Sequence, residues 1–365
     1  MDQQPKPPAA TAAPDARRDD VDRLLDALID EAGIDGQRAL VRRVLAAGLG
    51  LGQDRPTRLD LKITAAAVEE MRAAFRLFAP FRGTPKVTVF GSARTQSHDP
   101  LWRGAEEAAA GLAELGWMVV TGAGPGIMEA AATGAGPERS LGVSIRLPFE
   151  ESPHAVGSGD AHRVAMKYFF TRKLMLVKES SGFICLPGGF GTMDETFELL
   201  TLQQTGKMDP APIVLLDRPG GTFWRGFARF VTEELAGSGL IAVNDLDRVL
   251  VTDSVPAAVA EISGFWRNYD SLRWVGERLV LRLRRAPGDG ELAELNERFS
   301  GICASGRIEA AEALPEERDD RDRLELPRLV LTPRRRAVGD LYRLIRALGE
   351  LPSAPSEARP APPAG

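Results

Sequence analysis

The chain is poor in the residues that hold metals and disulfides: its 365 positions include three histidines and two cysteines. His98 and His154 are too isolated for a metal site, and three histidines do not make a histidine-rich centre. His162, ten residues before Arg172, can bind substrate but reads first as a local helix hydrogen bonder. Cys185 and Cys303 make neither a disulfide framework nor a metal set. Cys185 sits inside an apolar run, where a buried thiol is expected rather than a nucleophile. No segment has the length and unbroken apolarity of a membrane span. The N-terminus lacks a basic region followed by an apolar signal core, so the cytoplasm is the expected compartment. Positive charge is not in excess either. At a net charge of -5, neither nucleic acid nor a membrane is an expected partner. The triplet Arg334-Arg335-Arg336 could bind phosphate or RNA, but at this net charge it reads first as a solvated turn or helix start. Two nucleotide signatures are also missing. Neither glycine corner runs on into Gly-Lys-Ser/Thr, which excludes a Walker A loop. The spacing at Gly122, Gly124 and Gly126 is not that of the dinucleotide fingerprint, and the next strand runs into Arg146 instead of an acidic residue.

What is present is an ordinary globular composition, 44% apolar and 27% charged, in a chain long enough for one substantial core and a smaller appended unit. Residues 1–17 and 351–365 are rich in Pro and Ala and are expected to be disordered. Apolar spacing between 20 and 49 predicts two helices broken near Gly33 to Gly36, and 59–79 predicts a third. This helical segment, 18–80, reads as a collar or simple core cover. From 81 to 272 short apolar runs alternate with helical patterns. Strands are expected at 86–90, 117–120, 141–145, 183–186, 212–216 and 248–252. Helices are expected at 101–115, 193–205, 223–237 and 255–269, with one long amphipathic helix or two short ones over 161–178. The pattern predicts an α/β fold: a Rossmann-like, mostly parallel sheet with helices on both faces. Beyond 273 a small C-terminal α/β module is expected through 350. In it Leu279, Leu281 and Leu283 alternate with basic residues like an edge strand, and 315–320 reads as a solvated turn. There is no fixed-period repeat.

Three segments fall at strand ends, where ligands of such sheets bind. The first is Gly91-Ser92-Ala93-Arg94. The second, Thr121-Gly122-Ala123-Gly124-Pro125-Gly126-Ile127-Met128, permits close backbone approach and can turn helix N–H groups toward a phosphate. The third, Pro187-Gly188-Gly189-Phe190-Gly191-Thr192, leads into a helix expected near Met193, with Asp194 and Glu195 in its first turn. Two anion-receptive corners on one edge suit a phosphorylated ligand. A carboxylate beside a phosphate would repel it, so Glu195 must face another part of the ligand, most simply a sugar carbon or hydroxyl. Each acid alone also fits a helix-capping role. Arg172-Lys173, on an otherwise apolar and aromatic helical stretch, can grip a carboxylate, a phosphate or ribose hydroxyls, or can be a snorkelling or salt-bridged pair.

The run from Pro187 to Glu195 has the form P-G-G-x-G-T-x-x-E, with Arg172-Lys173, Gly91-Ser92 and the 121–128 corner upstream in order. Together these resemble the LOG family, the cytokinin riboside 5'-monophosphate phosphoribohydrolases, over about residues 85–265. The Tyr168-Phe169-Phe170-Thr171-Arg172-Lys173 form is similar to the longer bacterial members. The resemblance implies a Rossmann-like fold, a homodimer or higher assembly, no cofactor, and a small-molecule nucleotide as the partner. It implies catalytic roles for Arg172 and Glu195. Substrate and phosphate binding would fall to Gly91, Ser92, Gly122, Gly124, Gly126, Met128, Lys173, Gly188, Gly189, Gly191, Thr192 and Asp194. Asp194 stands where many members carry a second Glu. The implied reaction is hydrolysis of a nucleoside 5'-monophosphate to free base and ribose 5-phosphate. Alternatives are a non-catalytic nucleotide- or phosphosugar-binding regulator, transfer of the phosphoribosyl group to another acceptor, and a molybdenum-cofactor carrier.

Overall fold

A computed structural model describes residues 14–146, 161–334 and 338–356. His154, Arg335, Arg336 and most of both expected disordered tails lie outside the described residues. The chain divides into two compact units, Met1–Val68 and Glu69–Gly365.

The first unit holds α1 (Pro14–Glu31), α2 (Arg38–Gln53) and the opening turns of α3 (Arg58–Phe78). α1 begins earlier than the expected start at Asp20. Arg42 of α2 pairs with Asp22 and Asp26 of α1 at 2.7 and 3.2 Å, so the spacing of one helical turn on α1 presents both acids to one cation. Leu25 and Ile29 of α1 are buried. α2 buries none of its residues and leaves Leu40, Val44 and Leu49 exposed.

The second unit is built on seven parallel strands: β1 (Lys86–Phe90), β2 (Met118–Thr121), β3 (Ser140–Ile145), β4 (Arg163–Met166), β5 (Gly182–Cys185), β6 (Ile213–Leu216) and β7 (Val249–Thr252). β1, β2, β5 and β6 are buried along their whole length, as strands covered on both faces must be. Around the sheet lie α4 (Pro100–Glu114), α5 (Ile127–Ala135), α6 (Phe169–Lys178), α7 (Phe190–Gln204), α8 (Phe223–Phe230) and α9 (Val255–Gly264). α4 starts sharply because Asp99 accepts from the Leu101 amide at 2.8 Å and Pro100 needs no acceptor.

The sheet corrects one expectation. Residues 161–178 are not helical throughout, because 163–166 form β4, paired parallel to β3. Val164 and Met166 alternate inward while Arg163 is exposed, a period of two that favours the strand.

A second sheet is antiparallel, in the order β10-β11-β9-β8, made of β8 (Tyr269–Val275), β9 (Arg278–Leu283), β10 (Cys303–Ala311) and β11 (Arg328–Pro333). With it run α10 (Asp289–Phe299), α11 (Pro315–Asp320) and α12 (Val338–Glu350). Two readings are overturned here. β9 is an inner strand rather than an edge, and 315–320 is a short helix rather than a solvated turn. Most of 315–320 is exposed, but Glu317 of α11 is fully buried and accepts from Arg282 of β9 at 2.7 Å and Arg328 of β11 at 3.1 Å, so these three charges neutralise one another inside. β8 crosses residues 272–273. Phe265, Trp266, Tyr269 and Tyr342 join the second sheet to the core of the first.

Candidate functional site

β1 lies at the centre of the parallel sheet. The chain adds β2, β3 and β4 on one side, then crosses to β5, β6 and β7 on the other. The switch point therefore falls between the carboxyl ends of β1 and β5, with β2 next to them, and ligands of open α/β sheets bind in that crevice. The three expected segments leave those three strands. They are stitched through Ser92: its amide donates to the Pro187 carbonyl at 3.3 Å, and its carbonyl accepts from Ile127 N–H at 3.1 Å. Gly126 makes the second contact possible. It takes φ +69°, and a Cβ there would stand 2.3 Å from the Ser92 oxygen.

The glycines divide by what surrounds them. A side chain at Gly91 would strike Ile127, one at Gly124 would strike Met128, and one at Gly188 would strike Thr192. Met128 thus packs over the backbone of its own corner instead of standing clear of it. A Cβ on Gly189 or Gly191 would meet nothing within 4 Å, so this stretch of backbone is open. α7 begins at Phe190, with Gly189 as a cap that offers no side-chain acceptor. The amides of Phe190, Gly191 and Thr192 have no acceptor within the helix, which turns the first from Met193, bonded to Gly189 at 3.0 Å. At α5, Ile127 is already bound to Ser92, leaving Met128 and Glu129 N–H at the helix start. Two helix N-termini at one crevice favour an anion.

The early start of α7 moves Glu195 out of the first turn and into the second, which removes the capping reading for it and for Asp194. Glu195 is buried, at 7% exposure, and its Oε2 has no hydrogen-bond partner. Burial is the main cause that pushes its pKa up to about 7; Lys173 and Arg172 pull it down, while Glu198 and Asp194 add to the rise. Arg172 on α6 donates from Nε to the Val143 carbonyl at 2.9 Å and from Nη2 to the Gly122 carbonyl at 3.3 Å. Burial lowers its pKa and the Glu195 carboxylate opposes that change. Two backbone carbonyls fix the guanidinium and leave other N–H donors for a ligand or for Glu195.

Lys173 points elsewhere. Its Nζ lies 2.9 Å from Asp194 and 2.8 Å from Glu198, tying α6 to α7. Burial lowers its pKa, but the bonds to Glu198 and Asp194 outweigh that and raise it. The structure thus pairs Lys173 and Asp194 with each other. Glu198 was missed in the sequence, although Asp194 and Glu198 stand four apart on a helix and so share a face. The Val143 carbonyl carried no sequence signal, since any residue supplies one. Cys185 is fully buried, and burial pushes its thiol up to about 12, so it is not a nucleophile. His162 holds the Pro137 carbonyl at 2.9 Å and meets Phe81 edge-on.

Fold and site together define an anion-receptive crevice: an α/β switch point with two helix N-termini, a fixed arginine and a buried carboxylate. Known proteins place it further. A family model described as "Possible lysine decarboxylase" matches residues 126–262. The cytokinin riboside 5'-monophosphate phosphoribohydrolase of Mycobacterium tuberculosis is 30% identical over 172 residues, 46% of this chain and 88% of that protein. Its counterpart from Rhodococcoides fascians is 32% identical over 190 residues, 50% and 92% of the two chains. The chain belongs to this LOG family. A solved molybdenum cofactor binding protein from Rippkaea orientalis is 25% identical over 47% of this chain and 91% of its own, with a TM-score of 0.32, too low to bear on function.

Proposed function

We propose that the chain hydrolyses the N-glycosidic bond of a nucleoside 5'-monophosphate, of the cytokinin riboside or AMP type, to free base and ribose 5-phosphate. The observation that carries this reading is Glu195: a buried carboxylate with an unpartnered Oε2, beside a fixed guanidinium and two helix N-termini. The phosphate sits against the open amides of α7 and the start of α5 and orients the ribose, so binding energy away from the bond is spent on the bond. As the C1'–N bond breaks, positive charge grows on the ribose. An anion made unstable by burial is stabilised by that charge more in the transition state than in the ground state. The electron pair of the C1'–N bond goes to the base, and water adds its oxygen to C1'. Glu195 orients that water or takes its proton, and the proton water loses is passed to the departing base, so free base and ribose 5-phosphate balance the water consumed. Arg172 holds the substrate and keeps Glu195 ionised.

Assembly as a homodimer or larger oligomer belongs to the same reading. It is supported by exposed Phe169, Phe170 and Leu174 on α6, apolar surface of the kind an interface covers. Mass photometry tests it.

Incubation with AMP, GMP, CMP, UMP and isopentenyladenosine monophosphate, followed by chromatography, tests the reaction and its base preference together. Release of base and ribose 5-phosphate from at least one supports it. Binding without release from any would replace it with a regulator.

A further inference from the structure

We infer that Glu70 of α3 is a positioning residue for Arg172, acting through the first turn of α6. The inference rests on the N-glycosidase reading for its kinetic consequence and on hydrogen bonds for its geometry. α6 begins at Phe169, and its N-cap, Tyr168, has no side chain able to accept from the first amides. A helix start without an acceptor leaves its N–H groups unpaired. Here a carboxylate about a hundred residues away holds the two residues just before the first helical amide and the hydroxyl of the third helical residue. The Glu70 carboxylate takes the Lys167 amide at 2.6 Å, the Tyr168 amide at 3.4 Å and the Thr171 hydroxyl at 2.7 Å. Thr171 is fully buried, and its hydroxyl also lies 2.9 Å from the Tyr168 carbonyl.

One carboxylate therefore holds the chain just before α6 and the residue immediately before Arg172. It also places negative charge at the positive end of the helix. At its next position α6 is clamped again, by Lys173 to Asp194 and Glu198 of α7. Arg172 sits between the two clamps. Its own hold is one carbonyl of β3 and one of the corner after β2, so a small turn or slide of α6 would carry the guanidinium away from Val143 and Gly122. The groups around Glu195 are Lys173, Arg172, Glu198 and Asp194, and both cations come from α6. Loosening α6 is thus felt by Glu195 as a loss of positive charge.

Glu70→Ala should lower kcat about tenfold, since small misplacements of a catalytic group are costly, and should move the acid limb of its pH profile upward. Thr171→Val should do the same in part, with Thr171→Ser restoring activity. A purely structural Glu70 would change thermal stability while leaving the acid limb in place. Wild-type kcat, KM and acid limb in folded Glu70→Ala would overturn the inference. If Glu70→Ala does not fold, the Thr171→Val and Thr171→Ser pair decides by the same comparison. If the wild-type chain releases base from no nucleotide, the N-glycosidase reading fails and a crystal structure of the variant decides instead. A displaced Arg172 guanidinium upholds the positioning role, and an intact Arg172–Val143 bond overturns it.

Discussion

Arg172 occupies the space that a side chain at Gly122 would need: a Cβ on Gly122 would stand 1.9 Å from Nη2 of the arginine. The glycine is there for the guanidinium, not only for the turn. Gly122→Ala should therefore push Arg172 off its carbonyl partner and lower kcat about 100-fold, the usual scale for an ångström of misplacement. Circular dichroism should still report the native fold, because the clash is with the end of a flexible side chain.

On the proposed reaction, Glu195 should make the rate depend on pH. With its pKa pushed up to about 7, the ionised form is lost as pH falls through neutrality, so kcat/KM should rise with pH and level off above about 7. A pH–rate profile with no acid limb between 6 and 8, on the order of one unit either side of that value, would remove the carboxylate from the reaction.

The same shift has a stability consequence of opposite sense. Glu195 binds its proton more tightly folded than at its ordinary value of 4.5, so its contribution to stability falls as pH rises toward about 7 and stays low above it. Glu195→Gln abolishes that loss. Urea titrations should find the variant more stable than wild type at pH 8 by up to about 3 kcal/mol, with the gap narrowing toward pH 5.

Removing Lys173 should act on Glu195 without touching it. Its ammonium pulls the Glu195 pKa down and binds Asp194 and Glu198. In Lys173→Met the acid limb should move to higher pH, whereas a residue that only grips phosphate would raise KM and leave the limb alone.

Glu317 lies far from this chemistry in the chain and supports the second sheet. Burial alone would raise its pKa, but the Arg282 hydrogen bond, the Leu314 amide and the Arg328 charge hold it below its ordinary value. Glu317→Ala leaves two buried guanidinium groups short of a partner and should cost roughly 3–5 kcal/mol in urea unfolding. Turnover per folded molecule should be unchanged.

These residues also mark where the sequence was readable. β1, β2, β3, β5, β6 and β7 each announce themselves as a short apolar run between turn residues, and their alternation with helices implies the parallel sheet. β4 does not, because four residues of period two are easily absorbed into a neighbouring helical pattern. The glycine corners and Glu195 were legible because their spacing is local. The start of α7 was not, since a helix opening on Phe-Gly has no capping side chain to announce it. Pairings between elements were invisible for a different reason. Glu317 shows its charge in the sequence but not its two arginines, and Glu70 gives no sign of serving a helix about a hundred residues on. Charge is a property of a residue, whereas solvation is a property of the fold around it.

The most direct measurement is ribose 5-phosphate release from the best nucleotide of the panel, by wild type and Glu195→Gln side by side, with both shown to be folded. The wild-type chain should release base and ribose 5-phosphate in equal amounts, and the variant should be slower by about 1000-fold, the scale on which removing an electrostatic stabiliser acts. Near-wild-type release by Glu195→Gln would contradict the account.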